Sequence, residues 1–185
     1  MNLEKIEKII SERMEEVMDF PKPGILFRNL NPAFSDVDAF DAMIDTFEQK
    51  YYKTKITKIA GVEARGFILA GALASLMGVA PILIRKSGKL PPGDHIIKEN
   101  YTKEYGDDCI EMDARTVTDG ENVLIIDDLL ATGNTVIAAN NLLIKAGANV
   151  VEAAFVAELT ELGASKILKD RYNLDTFSLW KSSIK

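Results

Sequence analysis

The sequence predicts a single α/β domain, with a mainly parallel, twisted β-sheet flanked by helices. Short apolar runs, such as the unbroken run at residues 123–126 and the run at residues 150–156, recur along the chain. Stretches with a helical spacing of apolar residues lie between them, and no internal repeat or linker interrupts the 185 residues. Apolar strands that alternate with helices are typical of a parallel sheet covered on both faces. We therefore expect one domain over residues 1–185.

The N-terminal region predicts two helices. Helical spacing indicates a first helix over residues 3–18, with its apolar positions at Leu3, Ile6, Ile9, Ile10, Met14 and Val17. It ends before residues 20–24, because two prolines and a glycine cannot continue a helix. Asp36 is a typical N-cap and predicts a second helix. The side chains that this helix buries are Val37, Phe40, Met43, Ile44 and Phe47.

From residue 56 onward, strands and helices alternate. The predicted strands cover residues 56–60, 82–84, 110–112, 123–126, 150–156 and 176–179, and the predicted helices cover 66–77, 133–146 and 162–169. Residues 86–108 fit neither class, because they are rich in Gly, Pro, Lys and Asp. A loop of this length inside a compact domain is usually a lid or a binding loop. The alternative is a tolerated insertion.

Composition and charge exclude several classes of function. Hydrophobic residues make up 47% of the chain, which is enough for one compact core. The net charge of −6 argues against a nucleic-acid surface, which usually needs a basic face. The single cysteine, Cys109, rules out a disulfide framework. The N-terminus lacks a signal peptide, and no apolar stretch approaches the ~20 residues of a membrane span, so we expect a cytoplasmic protein.

Residues 123–135 are the most informative run in the chain. The apolar strand brings Asp127 and Asp128 to its C-terminal end, where ligands bind in open α/β sheets. A turn then leads into a helix through Ala131, Thr132, Gly133, Asn134 and Thr135. A helix N-terminus offers N–H groups to a phosphate, and paired carboxylates can accept hydrogen bonds from two neighbouring ribose hydroxyls. Each part alone is also common turn chemistry, but the combination predicts a sugar-phosphate site.

This run resembles the signature with which type I phosphoribosyltransferases bind 5-phosphoribosyl 1-diphosphate (PRPP). The resemblance implies that Asp127 and Asp128 bind the ribose hydroxyls and that residues 131–135 hold the 5′-phosphate. The family usually has glycine at the fourth loop position, where this chain has Asn134. Asparagine tolerates a left-handed backbone better than most residues, so we expect the loop to keep its shape.

Residues 59–67 resemble the pyrophosphate loop of the adenine-specific members of that family. The loop residues are Gly61, Val62, Glu63 and Ala64. Arg65 follows, and its guanidinium is a forked donor suited to phosphate oxygens. Without the resemblance, Arg65 could equally be a surface charge.

Residues 19–28 resemble the base-binding hood of the same branch, which we place at about residues 19–35. The resemblance implies that backbone groups of Leu26 and Arg28 bind the edge of the base and that Phe27 stacks on its ring. Without the resemblance, Phe27 is interpreted as an ordinary core residue. Residues 29–31 depart from the family, which usually has an acid followed by Ser or Thr before the proline.

Residues 84–91 and 101–106 resemble the two ends of the family's mobile catalytic loop, here about residues 86–108. Arg85, Lys86 and Lys89 are natural counter-charges for a diphosphate, and the resemblance implies that Glu104 is the catalytic acid/base. Two departures stand out. The interval after Lys89 is longer than usual, and Lys103 replaces an apolar residue.

The resemblance implies an enzyme that joins adenine to the ribose of PRPP, giving AMP and diphosphate. It also implies a homodimer and a Mg²⁺ ion held through PRPP with no direct protein ligand. One alternative is an enzyme that uses hypoxanthine, guanine or xanthine. The other is a regulator that only senses PRPP, which the acidic charge and the short N-terminal helix disfavour.

Overall fold

A computed structural model describes residues 2–103 and 106–182. Its helices are α1 (Leu3–Arg13), α2 (Asn31–Ser35), α3 (Val37–Tyr51), α4 (Arg65–Met77), α5 (Asn134–Lys145) and α6 (Ala164–Tyr172). Its strands are β1 (Glu15–Met18), β2 (Leu26–Asn29), β3 (Lys58–Val62), β4 (Ala80–Lys86), β5 (Ile96–Lys103), β6 (Gly106–Asp113), β7 (Asn122–Leu130), β8 (Asn149–Glu158) and β9 (Thr176–Lys181).

Seven of the strands form one sheet in the order β5-β6-β4-β3-β7-β8-β9. The five strands from β4 to β9 in this order are parallel, and β6 and β5 add an antiparallel edge. β1 and β2 form a separate two-stranded ribbon. The structure therefore confirms the predicted α/β domain with a mainly parallel sheet.

The central strands are apolar throughout because helices cover both of their faces. Along β7, Leu124 and Ile126 pack into the core formed with α1, α3 and α4. Val123 and Ile125 point the other way, into the core formed with α5 and α6. All four are completely buried, and each such side chain contributes about 1.5–3 kcal/mol of hydrophobic stabilisation. This rigid centre fixes where Asp127 and Asp128 emerge.

The prediction of one helix over residues 3–18 is wrong beyond Arg13. α1 buries Ile6 and Ile10 and ends at Arg13, and residues 15–18 form β1 instead. β1 pairs with β2 in antiparallel register, from Glu15 opposite Asn29 to Met18 opposite Leu26. The pairing of β1 with β2 thus outweighs the helical spacing of Met14 and Val17. The N-cap prediction is confirmed, because Asp36 accepts a hydrogen bond from the amide of Ala39. The prediction that this helix buries Val37 is wrong, since Val37 is 70% exposed in its first turn.

The prediction that residues 86–108 are irregular is also wrong for more than half of the segment. β5 and β6 form an antiparallel hairpin, and β6 pairs with β4 where Arg85 lies opposite Glu111. On β5, the partly buried Ile97 and Tyr101 face the α5 core, with Glu99 between them. Polar contacts satisfy Glu99, whose carboxylate accepts hydrogen bonds from Asn141 and Lys145 of α5. Because Glu99 interrupts the apolar positions on this face of β5, the sequence pattern did not predict the strand.

Within residues 2–103 and 106–182, no helix is both long and apolar enough to cross a membrane.

Candidate functional site

Three predicted site segments meet at the carboxyl edge of the sheet. β3 ends at Val62, β4 at Lys86 and β7 at Leu130, and these three strands are neighbours and parallel. A cavity of about 280 Å³ lies at this edge, lined by Glu63, Ala64, Arg65, Lys86, Asp127 and Asp128. All six lining residues were predicted from the sequence. The structure thus brings the paired acids, the pyrophosphate loop and two basic residues together.

The paired acids share one cation. Arg65 Nε lies 2.5 Å from Asp128 Oδ2. The contact is an ion pair without hydrogen-bond alignment, so this buried oxygen keeps its capacity to accept a hydrogen bond. The amide of Asp128 donates to Asp127 Oδ1 at 2.9 Å. Burial and the adjacent Asp128 carboxylate raise the pKa of Asp127 well above its ordinary value, although Arg65 partly offsets them. A ligand that donates hydrogen bonds to the Asp127 carboxylate would therefore stabilise its charged form.

The 131–135 turn encloses a second, smaller cavity of about 80 Å³, which shares Asp127 with the first. Its lining also includes Ala131, Thr132, Gly133 and Thr135. Gly133 is left-handed, with φ of 83°, and among residues 2–103 and 106–182 no side chain caps the start of α5. The first amides of α5 are therefore available to an anion.

Asn134 does not adopt the left-handed backbone conformation for which the sequence analysis allowed. It is the first residue of α5, and the left-handed residue of the loop is Gly133. The side chain of Asn134 instead reaches the hairpin, where Nδ2 donates to the backbone oxygen of Thr102 on β5 at 2.9 Å. The left-handed residue before α5 is therefore Gly133, which needs no tolerance from Asn134.

The pyrophosphate loop packs tightly against the ends of β3 and β7. A Cβ on Gly61 would lie 2.5 Å from Gly66 O, and a Cβ on Gly66 would lie 2.8 Å from Ile126 O. The Glu63–Ala64 peptide is cis. Glu63 Oε2 accepts hydrogen bonds from the amide of Lys86 at 2.9 Å and from Arg85 Nε at 3.3 Å. Hydrogen bonds from Lys86 and Arg85 lower the pKa of Glu63 against its burial.

The basic residues of the predicted catalytic loop have different surroundings. Lys86 lines the larger of the two cavities. Arg85 does not line it and instead pairs with Glu63, which stabilises the pyrophosphate loop from outside the cavity. Lys89 is exposed and does not line that cavity in the described part of the chain. Glu104, the predicted catalytic acid/base, lies outside the described residues.

The predicted base-binding residues lie together on β2. Phe27 meets Phe20 edge to face, with ring centroids 5.0 Å apart. Arg28 is tied down, because Nη1 donates to Leu26 O at 3.1 Å and Nε lies 3.1 Å from Glu16 Oε1. Leu26, Phe27 and Arg28 do not line either of the two cavities described above.

The unusual asparagines after β2 have structural partners. Asn29 donates to Glu15 Oε2 at 2.9 Å, and its Oδ1 accepts the amide of Asn31 at 3.1 Å. Asn29 thus joins β1 and β2 to the start of α2.

One residue near the site was missed by the sequence reasoning. Glu111 lies on β6 with 1% of its surface exposed. Its carboxylate accepts hydrogen bonds from the amides of Lys89 and Leu90, at 2.8 and 2.9 Å. The available signal was a carboxylate flanked by Ile110 and Met112 in a predicted buried strand, which requires a partner.

Comparison with known proteins identifies the family. Residues 35–184 match the model of the phosphoribosyl transferase domain. The adenine phosphoribosyltransferase of Idiomarina loihiensis is 48% identical over 160 residues, which covers 86% of this chain and 89% of that protein.

Two solved structures have the same fold. The adenine phosphoribosyltransferase of Saccharomyces cerevisiae, crystallised with an imino-altritol bisphosphate and adenine, is 34% identical with a TM-score of 0.86, covering 95% of this chain and 99% of that one. The enzyme of Thermoanaerobacter pseudethanolicus is 37% identical with a TM-score of 0.87, covering 98% and 100%. The 131–135 turn, the paired acids and the pyrophosphate loop lie together at one edge of the sheet, in agreement with these comparisons. The chain therefore belongs to the phosphoribosyltransferase family, in its adenine phosphoribosyltransferase branch.

Proposed function

We propose that this protein transfers the 5-phosphoribosyl group of PRPP to adenine, giving AMP and diphosphate. One observation carries the proposal: two cavities that share Asp127 lie at one sheet edge. PRPP has three polar parts, a 5′-phosphate, a ribose diol and a diphosphate. The edge offers a suitable partner for each of them.

We assign the binding roles as follows. The amides and hydroxyls of residues 131–135 bind the 5′-phosphate, since the start of α5 has no side-chain cap. Asp127 and Asp128 accept hydrogen bonds from the ribose hydroxyls. The backbone of residues 61–64 binds the diphosphate together with Arg65, Lys86 and Lys89. Arg65 exchanges its contact with Asp128 for one with a diphosphate oxygen when the ribose hydroxyls arrive.

Adenine is the base that the relatives support, since the yeast enzyme was crystallised with it and the bacterial relatives carry its name. The hood of this chain supplies Phe27 to stack on the ring. Backbone groups of Leu26 and Arg28 bind the ring edge, and the contacts of Arg28 with Leu26 and Glu16 hold this short strand in place. A wrong base would leave those backbone groups unpaired.

The reaction breaks the bond between ribose and diphosphate as a ring nitrogen of adenine forms the new bond. The site must stabilise the departing diphosphate, hold the base in line and exclude water. Lys86, Lys89 and Arg65 stabilise the leaving group. By the family resemblance alone, Glu104 exchanges a proton with the base.

The donor set fits a Mg²⁺ ion bound through the substrate. Mg²⁺ prefers oxygen ligands, and the carboxylates that line the cavity are those of Asp127, Asp128 and Glu63, of which Glu63 already accepts hydrogen bonds from Arg85 and Lys86. Within residues 2–103 and 106–182, no three His, Cys, Asp or Glu side chains converge on a common point. When bound, the ion would neutralise the diphosphate, while the two acids bind the diol.

We also propose a cytoplasmic homodimer. PRPP is a charged metabolite made inside cells, which favours the cytoplasm. On the surface, Ile68, Leu76 and Leu83 are 52%, 54% and 46% exposed. Leu83 pairs with Gly61, which faces Ala70 of α4, so α4 and the edge of β4 present apolar side chains on the same face of the sheet. Sedimentation of the wild type and of Ile68→Asp would test the dimer, which the variant should weaken.

The deciding experiment measures product formation from PRPP and Mg²⁺ with adenine, hypoxanthine, guanine or xanthine. AMP formed from adenine with high preference supports the proposal. A product formed mainly from another purine would assign a different base. PRPP binding with no product from any purine would support a PRPP sensor instead.

A further inference from the structure

Glu111 holds the turn that follows β4. Its Oε1 accepts the amides of Lys89 and Leu90, and its Oε2 lies 3.0 Å from Lys98 Nζ. Burial opposes ionisation of Glu111, but hydrogen bonds from Leu90, Lys98, Gly88 and Lys89 outweigh it and lower its pKa to about 2. The carboxylate is therefore charged at neutral pH. Among the described residues, it binds this turn and Lys98.

The same turn is held from other sides as well. The amide of Ser87 donates to the backbone oxygen of Cys109 on β6 at 2.9 Å. Glu63, in the pyrophosphate loop, accepts the amide of Lys86. Arg85 joins both sides, since its Nε contacts Glu63 and its Nη1 donates to Lys89 O at 3.4 Å. Residues 86–90 therefore connect β6 to the pyrophosphate loop.

Little core packing supports the turn from below. A cavity of about 500 Å³ lies beside it, and the lining includes Gly88, Leu90, Ile96 and Glu111. Gly88 is left-handed, with φ of 79°, and Lys89 is exposed. Among the described residues, the backbone of Lys89 donates to Glu111 at 2.8 Å and accepts from Arg85 at 3.4 Å, so Glu111 makes the shorter of these two hydrogen bonds.

We infer that Glu111 is a positioning residue for the diphosphate: it fixes the turn so that the backbone of Lys89, which Arg85 links to Glu63, is held beside the pyrophosphate loop before the ligand binds. The inference rests on the proposed function, since that function brings a diphosphate to Lys89. A counter-charge held in place loses less side-chain and backbone entropy on binding than one on a free loop. The carboxylate does not touch the ligand.

Titration of the full-length protein with inorganic pyrophosphate and MgCl₂ tests the inference without relying on turnover. Glu111→Ala removes the acceptor and should raise the Kd for pyrophosphate by roughly tenfold. Glu111→Gln keeps an oxygen for the two amides, so its Kd should stay within about threefold of the wild type. Glu99→Gln, which alters a carboxylate of the same hairpin that faces α5, is the matched control and should bind pyrophosphate like the wild type.

A double-mutant cycle separates positioning from a general loss of stability. If Glu111 acts through Lys89, Glu111→Ala should change the Kd less than about twofold in a Lys89→Ala background. A full tenfold effect in that background would overturn the inference, as would Glu111→Ala binding like the wild type. If Glu111→Ala does not fold, Gly88→Ala replaces it, because its methyl group meets open space and strains only the turn.

The inference and the proposed function can fail separately. A wild type that makes no AMP but shows the pyrophosphate effects would reject the enzyme and keep the positioning role. A wild type that makes AMP while Glu111→Ala binds pyrophosphate normally would reject the positioning role alone.

Discussion

Gly61→Ala should destabilise the protein and impair PRPP binding. The added Cβ would lie 2.5 Å from Gly66 O, 2.8 Å from Ala70 Cβ and 2.9 Å from Gly66 C. All three atoms belong to the first turns of α4, so they cannot swing aside like the end of a flexible side chain. Relieving the shortest contact to the 3.0 Å minimum of real contacts moves α4 by about 0.5 Å. Overpacking of this kind costs about 3 kcal/mol.

For a chain of this length, that cost lowers Tm by roughly 6–12 °C. The shift also moves Arg65, the first residue of α4, so the KM for PRPP should rise. Gly71→Ala is the matched control, because its Cβ meets nothing within 4 Å and the residue lies inside the same helix. This control should gain about 0.5–1 kcal/mol from the lower entropy of its unfolded chain. Equal Tm values for the two variants in a thermal melt would refute the reasoning.

Four other predictions test the paired acids, the pKa of Asp127, the base and the catalytic loop. Changing Asp127 and Asp128 together to Asn should weaken PRPP binding by roughly 10²-fold in a binding titration, and wild-type affinity would place ribose recognition elsewhere. Burial raises the pKa of Asp127, so the ligand-free protein loses stability as pH rises from the ordinary aspartate value of about 3.9 toward that raised pKa. Asp127→Asn alone should therefore have a higher Tm than the wild type at pH 8, and a lower Tm would contradict this. Adenine should exceed hypoxanthine in kcat/KM by at least ~100-fold, and comparable values would reject the base assignment. Glu104→Gln should lower kcat by roughly 10²-fold with little change in PRPP affinity, and a kcat within about threefold of the wild type would exclude it as the catalytic group.

The sequence was sufficient where one physical requirement dominates a segment. β7 is buried on both faces, so its unbroken apolar run identified the strand and placed Asp127 and Asp128 at its end. The helix after residue 133 and the N-cap at Asp36 were likewise set by local chemistry. The position of the 131–135 turn follows from the end of β7 and the start of α5, because a parallel strand leads into a helix at the carboxyl edge of the sheet.

The sequence was insufficient where distant residues decide the structure. β1 forms because β2 lies beside it, and nothing in the spacing of residues 14–17 predicts that pairing. β5 was hidden because Glu99 faces the α5 core and depends on Asn141 and Lys145, more than 40 residues further along the chain. Glu111 was missed although its place between Ile110 and Met112 required a partner, because its partners, the amides of Lys89 and Leu90 and the ammonium group of Lys98, lie on other segments.

The ties between β5 and α5 have a consequence for how the protein opens. Asn134 holds the far end of β5, and Asn141 and Lys145 hold its middle, so the edge strand is fastened along the length of a single helix. Local unfolding proceeds in contiguous cooperative units. Amide hydrogen exchange in β5 and α5 should therefore share one opening free energy, although the two elements are separated in sequence. The start of α5 belongs to the 131–135 turn. Inorganic phosphate bound at this turn would therefore slow amide exchange across the whole β5–β6 hairpin.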